Sequence, residues 1–105
     1  MENWVAVIVA EKPTEGKAVK AKADGKPVLL AKVNDKLYAM DNVCPHLGCF
    51  LHRGDLSGHL ITCPCHDWVF DIRTGEFTAA PEIKIPVFPV KTKNGEILIL
   101  MEGLH

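Results

Sequence analysis

Cys44-Pro45-His46-Leu47-Gly48-Cys49 and, further along, Cys63-Pro64-Cys65-His66 hold all four cysteines of the chain and two of its five histidines. Cys44 and His46 form a Cys-x-His pair, and Cys63 and His66 form a Cys-x-x-His pair. Each pair offers one thiolate and one imidazole on a tight loop, and backbone reach lets each loop close on one or two metal atoms. That mixture of ligands suits iron–sulfur or zinc. Proline and glycine turn such loops sharply and leave backbone N–H groups to point at sulfur. On ligand types alone, a structural zinc site of two cysteines and two histidines stays open. A c-type haem does not, because it needs Cys-x-x-Cys-His and the chain has Cys63-Pro64-Cys65-His66.

Outward from this block the chain reads as β. Trp4 to Val9 is rich in β-branched residues, and Gly16 to Ala23 sets Ala18, Val19 and Ala21 against Lys17, Lys20 and Lys22, a solvated strand face. Pro27–Val33 and Lys36–Met40 are joined at Asn34-Asp35, a tight-turn signal. His59–Thr62 and Val69–Ile72 are short apolar strands, followed by Lys84–Val87, Phe88–Thr92 and, after Asn94-Gly95, Glu96–Leu100. Asp24-Gly25, Ser57-Gly58 and Thr74-Gly75 supply further turns. Short strands at regular spacing, without a useful helical period, indicate an all-β sandwich or barrel. Pro86 and Pro89 are expected at edges or bulges, because proline cannot donate to a ladder.

The length of 105 residues fits one domain, 1–105, and the hydrophobic fraction of 48% is ordinary for a globular protein. A formal net charge of −1 and the lack of a basic run argue against nucleic acid. The apolar run Trp4–Ala10 is too short to span a bilayer, and Glu2 sits where a secretion signal would be positive. The expectation is a cytoplasmic protein with no membrane partner, where cysteines point to metal or redox chemistry rather than to a disulfide framework. No Ser/His/Asp-type set or paired carboxylates suggest an enzyme.

Together these motifs resemble the Rieske family. The resemblance rests on Cys44-Pro45-His46, Cys63-Pro64-Cys65-His66, the Gly54-Asp55-Leu56 turn, Trp68-Val69-Phe70-Asp71-Ile72-Arg73-Thr74-Gly75, and Ala79-Ala80-Pro81, which is similar to the family's proline-containing loop over the cluster. It implies a Rieske-type antiparallel β-sandwich with a small cluster-binding subdomain at about 43–81, holding one 2Fe–2S cluster per chain. Cys44 and Cys63 would then bind the inner iron, and His46 and His66 the outer one. Leu47, Pro64 and Pro81 would shield it. Neutral imidazoles in place of two thiolates make reduction easier. In the family the two histidines face solvent, which gives a short route to a docked partner.

In the Rieske proteins of cytochrome bc complexes, cysteines at the positions of Cys49 and Cys65 form a disulfide between the cluster loops. The resemblance implies one here. In that branch, a serine and a tyrosine hydroxyl bond to the cluster sulfurs, whereas this chain has Trp68 and Phe70, read as plain packing, and resembles the soluble ferredoxins of aromatic-ring oxygenases. The implied function is a soluble electron carrier, not itself an enzyme, that takes electrons from a flavin-dependent reductase and gives them to an oxygenase or similar enzyme. The alternative is a small redox or structural subunit of a larger oxidoreductase complex, such as the nitrite reductase subunits that keep this fold without its ligands. His52, His59 and His105 show no pairing pattern and read as surface or turn residues.

Overall fold

The computed structural model of the chain describes residues 4–9, 11–44, 48–65 and 67–101. Asp24-Gly25, Asn34-Asp35 and Asn94-Gly95 each hold positive φ at both positions, the backbone of a type I′ hairpin turn that Asn, Asp and Gly tolerate. The first two turns close a meander of β3 (Ala18–Ala23), β4 (Lys26–Val33) and β5 (Lys36–Asp41). With β2 (Ile8–Val9) beside β3 and β11 (Val87–Phe88) beside β5, they form an antiparallel sheet of order β11-β5-β4-β3-β2. The third turn joins β12 (Val90–Lys93) to β13 (Glu96–Leu100), and β1 (Trp4–Ala6) completes a second sheet, β1-β13-β12. The third sheet takes the middle of the chain in order β10-β9-β8-β7-β6, from β6 (Asp55–Ser57), β7 (Leu60–Thr62), β8 (Val69–Asp71), β9 (Glu76–Phe77) and β10 (Ala80–Lys84).

Strand β4 explains how the layers stack. Val28, Leu29, Leu30 and Ala31 are all buried, without the alternation of a half-exposed strand. Val28 and Leu30 join Val19, Ala21, Ala39 and Ile99 in one core. Leu29 and Ala31 join Met40, Ile61, Phe70 and Ile72 in the other, which also contains Cys44 and Cys63. The central sheet is therefore covered on both faces.

The N-terminal apolar run divides between two sheets. Trp4–Ala6 pairs with β13 and Ile8–Val9 with β3, while the Val7 N–H donates to the Ile97 carbonyl at 2.9 Å. Val5, Val7 and Val9 all pack on the same core, so the period of two survives the change of partner. Lys20 and Lys22 are exposed between buried Val19, Ala21 and Ala23, as their alternation predicts. Pro86 and Pro89 flank edge strands, as expected, and lie where the chain crosses from sheet to sheet. Their carbonyls still accept, from the N–H groups of Asp41 and Leu100, each at 3.0 Å. At the first crossing Gly75, with φ +81°, lies so close to the Ile85 carbonyl that a Cβ would overlap it. Asp55–Ser57, read as part of a turn, is strand β6, and Ala80-Pro81, read as a loop, opens strand β10. Pro81 is tolerated there because β10 is an edge strand with an irregular register.

Candidate metal centre

Two hairpin-like loops carry the cysteines. The first leaves β5 and returns through the Val43–Phe50 bridge. It is closed by hydrogen bonds from the Cys44 N–H to the Cys49 carbonyl and from the Gly48 N–H to the Cys44 carbonyl, both at 2.8 Å. The Asp41 carboxylate accepts the Val43 N–H at 3.1 Å and sets the entry into the loop. The second prolongs the β7–β8 hairpin, where the Cys63 N–H donates to the Trp68 carbonyl at 2.8 Å. Each loop thus tightens at its first cysteine.

Both of those cysteines point into protein. Cys44 is 1% exposed and Cys63 is 3% exposed, and they share one core with Met40, Leu51, Ile61 and Phe70. The loops are tied together by a disulfide between Cys49, half-buried, and Cys65, exposed, with Cα atoms 6.4 Å apart. The bond reserves the other two thiols for a different partner. Between the loops, Gly54 lies against the Thr62 carbonyl so closely that a Cβ would overlap it.

His46, Leu47 and His66 fall outside the described residues. Among the described residues no three Cys, His, Asp or Glu side chains gather around one point. Pro64 is exposed at the second loop, and Pro81 is exposed on the edge of the third sheet. Trp68 lies flat on Phe77, with ring centroids 4.1 Å apart and planes 6° apart, and Phe70 is fully buried at 5.5 Å from Phe77. Both therefore pack, as read from the sequence.

One polar pair beside the first loop was missed. Asn42 is only 2% exposed. Its Oδ1 accepts the His52 backbone N–H and its Nδ2 lies on His52 Nδ1, both at 2.8 Å. The amide nitrogen donates, so Nδ1 accepts and the ring proton sits on Nε2. Burial, with Arg53 and Lys20 nearby, holds the His52 pKa below its ordinary value. No local motif marks this pair, because it forms between the end of β5 and the 3-10 turn Leu51–Arg53.

Residues 3–89 match the model of the Rieske 2Fe-2S domain. The chain belongs to the Rieske family. This Rieske protein is 35% identical over 102 residues to the ferredoxin component of naphthalene 1,2-dioxygenase/salicylate 5-hydroxylase systems from Ralstonia sp., covering 96% of this chain and 98% of that one. Its fold matches the ferredoxin of carbazole 1,9a-dioxygenase from Nocardioides aromaticivorans IC177 with a TM-score of 0.80 and 30% identity, covering 92% of this chain and 96% of that one. It also matches, at a TM-score of 0.79 and 30% identity over 92% of both chains, a structure of reduced oxygenase and oxidised ferredoxin in complex from carbazole 1,9a-dioxygenase.

Rieske proteins carry a 2Fe–2S centre with two cysteine and two histidine ligands, and this chain carries one such cluster. The two described thiols fit such a group: both are buried in one core at the bases of two loops stapled to each other. No helix among the described residues is long and apolar enough to cross a membrane.

Proposed function

We propose that this Rieske protein carries single electrons from a flavin-dependent reductase to a terminal oxygenase in the cytoplasm, as a carrier rather than a catalyst. Cys44 and Cys63 would hold the inner iron and His46 and His66 the outer one, in a cluster-binding subdomain of about 43–81 within a single domain, 1–105. Leu47, Pro64 and Pro81 would limit solvent access. The observation that carries this reading is the burial of Cys44 and Cys63 in one core while Cys49 and Cys65 form the bond between the loops. Also in its support, the relative from Ralstonia sp. is the ferredoxin component of a dioxygenase system.

When bound, the cluster takes up and releases one electron. The chain's part is to hold it without reorganisation. Loop hydrogen bonds at both cysteines and the disulfide fix the donors before any electron arrives. Cys44 and Cys63 would supply two anionic thiolates from the buried side, which favour ferric iron, and His46 and His66 would supply two neutral imidazoles, which ease reduction. The test is composition and spin. The purified protein is expected to be coloured, to contain about two irons and two sulfides per chain, and to give a Rieske-type paramagnetic signal on reduction. Cys63→Ser is expected to abolish the signal. One zinc and no iron after anaerobic preparation would overturn the proposal.

A further inference from the structure

A groove of about 330 Å³ lies at the margin of the β2–β3–β4 face that carries Leu29, between those strands and the segment that follows the first cysteine loop. Strand register builds its floor. Ile8 stands opposite Lys22, and Lys22 stands opposite Pro27, so these side chains share one face. Lys20, two residues along, projects the same way. The facing wall is Phe50, His52 and Arg53, with Asn42 behind them.

Two properties of this groove point to a ligand of mixed chemistry. Among the described residues its lining carries three cations, Lys20, Lys22 and Arg53, and no acidic residue, on a chain whose formal net charge is −1. It also presents Ile8 at 75% and Phe50 at 44% exposure. Exposed apolar side chains ringed by one sign of charge mark interaction sites. The groove is also continuous with the centre. Phe50 follows Cys49, which is bonded to Cys65 of the second loop, and Phe50 bridges to Val43, next to Cys44.

We propose that this groove is the docking face for an acidic electron-transfer partner, a protein surface on which carboxylates surround a protruding apolar side chain. The inference rests on the electron-carrier reading and adds the partner's chemistry to it. The partner's apolar side chain covers Ile8 and Phe50, and its carboxylates meet Lys20, Lys22 and Arg53. His52, whose Nδ1 is occupied by Asn42, offers a neutral Nε2–H donor at the same wall. A protein surface fits better than a small anion because Ile8 and Phe50 protrude from the groove rather than enclose a cavity. Such one-signed patches raise association rates and lose their effect in salt.

The test uses the intact, cluster-loaded protein on gold electrodes coated with a mixed carboxylate- and methyl-terminated monolayer, a stand-in for an acidic, partly apolar partner. Electron exchange at low salt is expected to be at least about tenfold faster there than on an amine-terminated monolayer, and to slow at high salt. Lys20→Glu/Lys22→Glu/Arg53→Glu is expected to reverse that preference while the spin signal stays intact. Phe50→Ser is expected to slow exchange only where methyl groups are present. Equal rates on both monolayers, or a triple variant like the parent, would overturn the docking face while leaving the electron carrier standing. A protein without iron fails both. A dimer in sedimentation that Phe50→Ser dissolves would give the groove to a second copy, and abolition of the response by millimolar benzoate would give it to a small anion. Either result overturns the proposal.

Discussion

Cys49 and Cys65 link the two cysteine loops across a sequence separation of 16 residues, with Cys65 exposed and Cys49 half-buried. Closing a loop of that length limits the unfolded chain by about 3 kcal/mol in the chain-entropy model. Cys49→Ala/Cys65→Ala is expected to keep the iron but to lower the temperature at which the visible absorbance of the cluster is lost. Because Cys65 is exposed, mild reductant is expected to reach the bond in the folded protein. Full retention of thermal stability in the double variant would show that the loop hydrogen bonds suffice.

Gly54 leaves no room for a side chain against the Thr62 carbonyl. Gly54→Ala must push β6 away from the end of β7, beside the second cysteine loop. The expected cost is about 1–3 kcal/mol in denaturant unfolding, the usual range for overpacking, with faster loss of iron to a chelator. Unchanged unfolding would mean that the loop relaxes freely.

The neutrality of His52 has a pH signature. Its folded pKa lies below the ordinary 6.5, because burial disfavours the imidazolium and Arg53 and Lys20 repel it. Below pH 6.5 the unfolded chain therefore binds more protons at this residue than the folded one. The contribution is complete above about pH 6.5 and is lost as pH falls. His52→Gln is expected to flatten this part of the acid limb in melts of the oxidised protein relative to the parent. Nitrogen NMR of the parent at neutral pH is expected to show the ring proton on Nε2.

Phe70 shares the core of Cys44 and Cys63 and brings no hydrogen-bond donor. Donors to cluster sulfurs stabilise the reduced state, so the midpoint is expected low in the Rieske range, nearer about −150 mV than +300 mV. Trp68→Ser/Phe70→Tyr is expected to raise it in protein-film voltammetry. A parent midpoint well above zero at neutral pH would contradict this, and an unmoved midpoint in the variant would assign control to backbone donors.

The sequence alone determined the β class, the positive-φ turns and the loops that carry the cysteines, because each depends on residues adjacent in the chain. Asn34-Asp35 and Asn94-Gly95 select their turns by local backbone preference, and Cys63-Pro64-Cys65-His66 reads as a ligand loop within four residues. The expected disulfide between Cys49 and Cys65 is present in the structure, although its pairing came from the family resemblance and not from spacing. Tertiary packing set which sheet each half of Trp4–Val9 joins, since both halves have the same apolar pattern and the choice depends on edges supplied by β3 and β13. It also decided that Pro86 and Pro89 mark crossings, that Asn42 fixes His52, and that Ile8 and Phe50 line one groove with Lys20, Lys22 and Arg53. Those contacts join residues far apart in the chain, and their free energy comes from burial and register that no local window contains.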